Sequence, residues 1–299
     1  MKKIFTIIML YMPLISVMAQ SAVNEKSGVR VEVATLPEKI YFAGEEVPLK
    51  YQYVREAIER EVLTTSNMHT GTMLTLRYSG RYLPVIEPIL KRYGVPDDFK
   101  YLCMAESGLN PNAVSPARAA GLWQFISSAA KEYGLETGEN TDLRYHVERS
   151  TEAACRYLLA AYRQLGSWTL AAASYNAGRA GVSRRMKTQG VTSYWDLFLP
   201  EETMRYVPRI ISFKILLSNP AALGFHLDEE DYFKPYKNYT EITVDSQNID
   251  WSALAARYNT TYRQLRILNP WIRSYEYENR GETSYKVKIP NSKFKNLGY

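Results

Sequence analysis

Apolar residues recur every three or four positions through most of residues 51–225, the spacing that places side chains on one face of an α-helix. Glycines follow several of these stripes, as at Gly94, Gly108 and Gly166, where a helix commonly ends. The pattern therefore predicts a mainly α-helical domain of six or more helices. The longest stripe consists of Ala154, Cys155, Leu158, Leu159, Tyr162 and Leu165.

Glycine, serine and proline predict where these helices begin and end. We expect breaks at Gly71 and Gly80 within residues 51–93, because glycine weakens a helix interior. Ser127 and Ser150 are of a type favoured as helix caps. The last helix of the domain should begin near Pro200.

The periodicity changes after residues 226–239, which we interpret as a linker because acids, aromatics and proline interrupt the pattern. Residues 242–244 and 285–289 favour strands, and residues 251–258 and 262–268 favour helices. Residues 240–290 therefore predict a small βααβ domain, followed by a tail over residues 291–299.

The first nineteen residues are typical of an export signal, with a basic start, an apolar run and small residues at Val17 and Ala19. Pro13 interrupts a run already shorter than the ~20 apolar residues that span a bilayer. An uncleaved membrane anchor is the alternative. We expect cleavage near Ala19, an N-terminal arm over residues 20–50, and a periplasmic or cell-envelope location, free or peripheral to the membrane or wall.

Composition and net charge limit the classes of molecule that this protein is expected to bind. The 299 residues, 46% hydrophobic, suffice for one sizeable core and a smaller second one. The net charge of +6 would suit an anionic polymer. Export disfavours nucleic acid and favours peptidoglycan, whose stem peptides carry carboxylates. We expect a monomer with no nucleic-acid partner.

The cysteines and histidines show no spacing typical of a metal site. Cys103 and Cys155 are the only cysteines, and an exported protein could hold them as a disulfide or as two buried thiols. His69, His146 and His226 lie far apart in sequence, without a second ligand at metal-binding spacing. No metal or cofactor is expected.

A carboxylate interrupts the apolar pattern at Glu106. Phe99, Leu102 and Cys103 share its predicted helix face, and the helix should end at Gly108. A carboxyl group among apolar neighbours has a raised pKa, as a general acid requires near neutral pH. A solvent-facing glutamate at a fraying helix end is the alternative.

Three blocks of residues occur in order along the chain. The first comprises Glu106, Ser107, Asn110, Pro111, Ser115, Gly121, Leu122 and Gln124. The second is Tyr175 to Gly178, and the third is Glu202-Thr203 with Tyr206-Val207. These blocks and their order resemble those of the soluble lytic transglycosylase family, and within it the D-type members, from about Tyr51 to Pro220. The resemblance implies a lysozyme-like fold.

The resemblance implies cleavage of the bond between N-acetylmuramic acid and N-acetylglucosamine in peptidoglycan strands. Glu106 would protonate the bridging oxygen and then accept the C6 hydroxyl proton, leaving a 1,6-anhydro end. Ser115 and Gln124 would hydrogen-bond the muramic acid. Their alternatives are a turn residue and a cap on a backbone group.

The other two blocks would complete the site. The resemblance places Tyr175 near Glu106, and Asn176 where it supports the loop. It places Glu202 at the cleft and Tyr206 in the wall of the sugar site. Tyr175 could instead be a core residue, and Glu202 could simply favour a helix first turn.

Residues 240–290 resemble a LysM module, which binds glycans containing N-acetylglucosamine, with Asn269-Pro270 at a typical place. Asp245-Ser246-Gln247 replaces the usual Gly-Asp, and the segment Ile272–Thr283 is longer than usual. The module could bind glycan or serve only as a packing domain.

Two alternatives to the transglycosylase hypothesis stay open. One is a lysozyme-type hydrolase in which Glu202 or Asp142 acts on water. The other is a non-catalytic peptidoglycan-binding protein. The sequence does not decide between cleavage at chain ends and interiors, or between peptide-bearing and naked glycan.

Overall fold

Eight α-helices form the larger domain in this computed structural model, which describes residues 35–280 and 283–296. The predicted signal at residues 1–19 lies outside the described residues, as do residues 20–34 and 297–299. The mainly α-helical prediction is confirmed. The helices are α1 (Gln52–Asn67), α2 (His69–Tyr93), α3 (Phe99–Ser107), α4 (Ser127–Glu132), α5 (Val147–Leu165), α6 (Trp168–Ala177), α7 (Arg179–Gln189) and α8 (Glu201–Ser218).

Helix α2 continues without interruption through Gly71 and Gly80, so the predicted breaks were wrong. Tertiary packing explains why position 80 is a glycine. A Cβ at position 80 would lie 2.8 Å from the Cβ of Tyr232 and 3.0 Å from the carbonyl oxygen of Phe233. Gly80 therefore admits the segment after α8 against the helix.

The predicted helix caps at Ser127 and Ser150 were also wrong. The predicted helix ends at glycines were correct. Helix α4 begins after Ile126, and α5 begins at Val147, three residues before Ser150. The Ser150 hydroxyl donates instead to the His146 carbonyl at 2.8 Å, inside the first turn of α5. Gly94, Gly108 and Gly166 all close their helices with left-handed backbone angles.

The core of the helical domain forms where α8 packs against α1, α3 and α6. Helix α6 contributes Ala171, Ala172 and Ala173, which are fully buried, and their small side chains let neighbouring helices approach closely. Cys103 and Cys155 are buried free thiols, which decides between the two arrangements left open by the sequence.

Residues 35–50 contribute to this core. Strands β1 (Tyr41–Phe42) and β2 (Glu45–Glu46) form a short antiparallel hairpin. The Phe42 ring is fully buried with its edge on Phe99, at 5.4 Å between centroids. The Glu45 carboxylate accepts from the backbone amides of Trp168 and Thr169, at 2.5 and 3.0 Å, in the first turn of α6. The hairpin therefore holds the start of that helix.

The predicted βααβ order is present in the C-terminal part. The two predicted strands pair antiparallel, with Ile242 opposite Val287. Two short strands that were not predicted pair with each other, one just before the first helix and one in the long segment before the last strand, and they place Ile249 opposite Tyr277. The elements are β3 (Tyr239–Val244), β4 (Asn248–Asp250), α9 (Trp251–Arg257), α10 (Tyr262–Leu268), β5 (Glu276–Glu278), β6 (Tyr285–Pro290) and α11 (Ser292–Asn296).

The small domain packs directly on the helical domain, and both belong to one compact unit. The Glu136 carboxylate accepts from the hydroxyls of Tyr277 and Tyr285 at 3.0 and 2.7 Å. Lys288 on β6 pairs with Glu148 on α5. The backbone amide of Asp142 adds a bond of 2.9 Å to the Trp271 carbonyl.

The segment expected to be a linker is packed along α2. Its Phe233 amide donates to the Arg77 carbonyl at 2.8 Å, and the guanidinium groups of Arg77 and Arg81 lie over the Phe233 ring. Within residues 35–280 and 283–296, no helix has the length and apolar character needed to cross a membrane.

Candidate active site

Glu106 lies in the last turn of α3, two residues before the left-handed Gly108. Its side chain is partly buried, so solvent still reaches it. The hydroxyl of Tyr206, a buried residue on α8, donates a hydrogen bond to one oxygen of the Glu106 carboxyl group. The other carboxyl oxygen remains available for a ligand or a proton.

The surroundings of Glu106 raise its pKa from 4.5 to about 7. Burial is the main cause, because it disfavours the charged form. The Tyr206 hydrogen bond and the Arg209 charge lower the pKa, whereas the negative charge of Glu202 raises it. Burial prevails, and a large fraction of Glu106 therefore carries a proton at neutral pH.

Tyr175 occupies the same site but makes a different contact from the one expected. Its hydroxyl donates to the Trp123 carbonyl at 2.8 Å, and its ring meets Phe125 and Tyr157 edge-on. Burial raises the pKa of Tyr175 well above its ordinary value, and the negative charge of Glu106 raises it further. The two groups thus interact electrostatically, although Tyr206 is the tyrosine that binds the carboxyl group.

Asn176 and Glu202 connect the end of α6 to the first turn of α8. The Asn176 side-chain amide donates to the Glu202 carboxylate at 3.1 Å. The Thr203 hydroxyl donates to the Asn176 side-chain oxygen at 2.7 Å. Glu202 is exposed at the surface and contributes to the site through its charge on Glu106.

Ser115 and Gln124 stabilise the loop between α3 and α4. The Ser115 hydroxyl accepts from the Ala119 amide at 3.1 Å. The Gln124 side-chain amide donates to the carbonyls of Ala113 and Gly121, at 3.1 and 2.8 Å. Both side chains thus make the turn and backbone contacts that were the alternatives to sugar binding. Partial burial leaves both side chains accessible to a ligand.

This loop is attached to both helices of the site. The Cys103 thiol on α3 donates to the Leu122 carbonyl at 3.4 Å, and Tyr175 on α6 binds the next carbonyl. Gly121 has a positive φ of 76°, and a Cβ there would lie 2.0 Å from the Arg144 carbonyl oxygen. Only glycine fits this close approach.

An ion cluster around the buried Glu61 was missed by the sequence analysis. Glu61 on α1 is 1% exposed and binds the Nε atoms of Arg205 and Arg209 on α8, at 2.6 and 3.3 Å. Arg209 is also the cation that lowers the pKa of Glu106. The signal was available, because Glu61 interrupts the apolar stripe of α1 as Glu106 interrupts that of α3.

A cavity of about 620 Å³ adjoins this cluster. Its lining includes Ala105 and Ser107, which flank Glu106, together with Glu61, Arg205 and Arg209, but not Glu106 itself. The cavity is large enough for a sugar-sized ligand.

Asp142, the other acid considered for catalysis, is held in an ion pair with Arg144. It is 5% exposed, and both carboxylate oxygens are bound by the Arg144 side chain, at distances from 2.7 to 3.2 Å. A carboxylate held in this way is not free to activate water. Within the described ranges, no group of three or more His, Cys, Asp or Glu side chains is arranged to hold a metal ion.

Comparison with known proteins links this site to a family. Residues 84–198 match the model of the transglycosylase SLT domain. Residues 240–293 match the model of the soluble lytic transglycosylase C-terminal LysM-like domain. The first match contains Glu106, Ser115, Gln124, Tyr175 and Asn176.

Individual relatives support the same assignment. The chain is 32% identical over 198 residues to membrane-bound lytic murein transglycosylase D of Escherichia coli K12, covering 64% of this chain and 43% of that protein. It is also 30% identical over 117 residues to a putative tributyltin chloride resistance protein of Alteromonas sp. strain M-1, covering 38% of this chain and 56% of the relative. This chain thus spans about half the length of these relatives or less. The family resemblance predicted from the motifs is confirmed: the chain carries a transglycosylase SLT domain followed by a C-terminal LysM-like domain.

Proposed function

We propose that this protein is a lytic transglycosylase that cleaves the β-1,4 bond between N-acetylmuramic acid and N-acetylglucosamine in peptidoglycan. The observation that carries the proposal is the Glu106 carboxyl group, partly buried and held by Tyr206, with a pKa of about 7. The matches to the SLT and LysM-like models support the substrate class. The activity would take place in the cell envelope, where peptidoglycan is found.

In the proposed reaction, Glu106 gives its proton to the bridging oxygen, and the bond from that oxygen to C1 of the muramic acid breaks. The N-acetylglucosamine side leaves as an alcohol. The Glu106 carboxylate then accepts the proton of the muramic C6 hydroxyl, whose oxygen bonds to C1 and closes the 1,6-anhydro ring. The carboxyl group ends as it began, and no water is consumed.

The surrounding residues support each half of this cycle. Burial keeps the proton on Glu106 before cleavage, whereas Tyr206 and Arg209 stabilise the carboxylate that forms afterwards. A pKa near 7 suits a group that must serve as acid and then as base. We assign Ser115 and Gln124 to contacts with the muramic acid, and Tyr175 and Asn176 to the support of the cleft.

Digestion of purified peptidoglycan sacculi tests the reaction. Each released anhydro product should be lighter by one water than the corresponding hydrolysis product, as measured by mass spectrometry. Glu106→Gln should abolish release, because an amide cannot donate the proton. Glu132→Gln is the matched control, since Glu132 is on α4 and binds Arg179. Normal release by Glu106→Gln would refute the assignment of the acid.

A hydrolase using Glu202 is the second candidate, because Glu202 interacts electrostatically with Glu106. A water-activating base would be essential, and its products would contain the added water. Products of hydrolytic mass that disappear in Glu202→Gln would favour this candidate. Anhydro products that persist in that variant would exclude it.

A further inference from the structure

A cavity of about 490 Å³ lies between the two domains and does not include Glu106 in its lining. The helical domain contributes Pro111 and Asn112 from the loop after α3. The small domain contributes Arg263 and Arg266 from α10, and Trp271 after it. The proposed reaction does not use this cavity.

The cavity carries positive charge that the described residues do not balance. Neither Arg263 nor Arg266 forms an ion pair with a carboxylate within residues 35–280 and 283–296. The Nε of Arg266 is buried and has no hydrogen-bond partner there. The guanidinium carbon lies 5.9 Å from the centre of the Tyr262 ring, so this permanently charged group faces an aromatic wall and not a carboxylate.

Glu148, the acid in the cavity wall, does not pair with these arginines because its carboxylate already has other partners. Glu148 pairs with Lys288 and accepts from His146 at 3.2 Å. Burial alone would raise the pKa of Glu148, but His146 and Lys288 together hold it well below its ordinary value. The acid of the cavity wall therefore does not neutralise Arg263 or Arg266.

Aromatic side chains form the remaining walls. Tyr236, Tyr239 and Tyr262 line the cavity, and the Trp271 ring is stacked between His146 and Tyr285. Such walls suit the aliphatic parts of a ligand. The chemistry thus fits a small ligand that combines a carboxylate with aliphatic groups, as a short acidic peptide does.

The loop after α3 connects the cavity to the candidate active site. Asn112 follows Glu106 by six residues, so their separation is at most about 22 Å at full extension. Turns at Gly108 and at the hydrogen bond from Ala113 to Asn110 shorten that path. A peptide of about five residues extends to about 17 Å.

We propose that this interdomain cavity binds a carboxylate of the peptide stem attached to the muramic acid, with Arg266 and Arg263 as its partners. The proposal rests on the proposed function and deepens it, because the substrate is then peptide-bearing glycan. Arginine suits this role, since its planar fork matches a carboxylate with two hydrogen bonds.

The kinetic test compares peptide-bearing glycan strands with the same strands after an amidase has removed their peptides. Arg266→Met should raise KM on peptide-bearing strands about tenfold or more, with kcat unchanged, and leave naked strands unaffected. Arg263→Met, an exposed position, should act in the same direction without a risk to folding. Arg257→Met is the control, because Arg257 is exposed on α9 and is not part of the lining.

The outcomes distinguish the two proposals. If Arg266→Met and Arg263→Met keep the wild-type KM on peptide-bearing strands, or weaken both substrates equally, the peptide site is wrong. If wild-type protein releases no anhydro products from either substrate, the proposed function itself fails.

A binding measurement gives an answer independent of turnover. Stem peptides released by the amidase are titrated calorimetrically into the Glu106→Gln variant and into the same variant with Arg266→Met. We expect saturable binding to the first protein and at least tenfold weaker binding to the second. Absence of binding to both, or equal binding to both, would overturn the inference.

Discussion

Replacement of Glu106 by Gln should stabilise the protein at neutral pH while removing its activity. The folded state raises the pKa of this carboxyl group from 4.5 to about 7, chiefly by burial. Between those two values the folded protein holds a proton that the unfolded chain has released. The free energy of unfolding of the wild type therefore falls as the pH rises through this window.

The size of this change in the free energy of unfolding follows from the shift in the pKa of Glu106. One pKa unit corresponds to about 1.4 kcal/mol, so a rise from 4.5 to about 7 costs the folded state about 3 kcal/mol above pH 7. This is an upper bound, because solvent reaches part of the side chain. The uncharged amide avoids the cost and can still accept from the Tyr206 hydroxyl.

Urea unfolding, followed by circular dichroism at several pH values from 4 to 8, measures the difference between the two proteins. We expect similar stability near pH 4, and a Gln variant more stable by up to about 3 kcal/mol at pH 8. Glu201→Gln is the control, because Glu201 is exposed and its one ion pair among the described residues is with Arg60. A difference between Glu106→Gln and wild type that is constant across this range would refute the reasoning.

Three further predictions concern the site and its supports. The rate of anhydro-product release, measured as kcat/KM, should fall about tenfold per pH unit above pH 7, where Glu106 loses its proton; a flat profile to pH 9 would contradict this. Tyr206→Phe removes the hydrogen bond that stabilises the carboxylate, so the pH at which this fall begins should move upward; a downward shift would contradict the assignment. Gly121→Ala should prevent accumulation of folded protein, as judged by circular dichroism, because the added Cβ would meet the Arg144 carbonyl; Gly190→Ala, which has only the strain of its left-handed backbone and no nearby atoms, should cost far less.

The apolar stripe singled out Glu106 as a candidate acid but left a solvent-facing position open, and the family resemblance decided in its favour. Neither identified its hydrogen-bond partner. Tyr206 is one hundred positions away, and its hydroxyl reaches Glu106 only because α8 packs against α3. The resemblance placed Tyr175 near Glu106 and Tyr206 in the wall of the sugar site.

The same limit explains the errors in the fold. The strands of the hairpin at Tyr41–Glu46 have two residues each, too few for an alternating pattern to be recognised. Gly80 appeared to be a helix break because its reason lies in Tyr232, which contacts α2 from a distant part of the chain. The two outer strands and the two helices of the small domain were predictable because each has six or seven residues, whereas β4 and β5, with three residues each, were missed.

The packing between the two domains determines how the second one can help the first. A binding module on a flexible tether works by raising local concentration over a radius set by the tether. Here Glu136 and Glu148 anchor the module, and the segment before it is held along α2. The module is therefore packed on the helical domain and not tethered to it, so its position relative to the cleft is set by these contacts and not by the length of a tether.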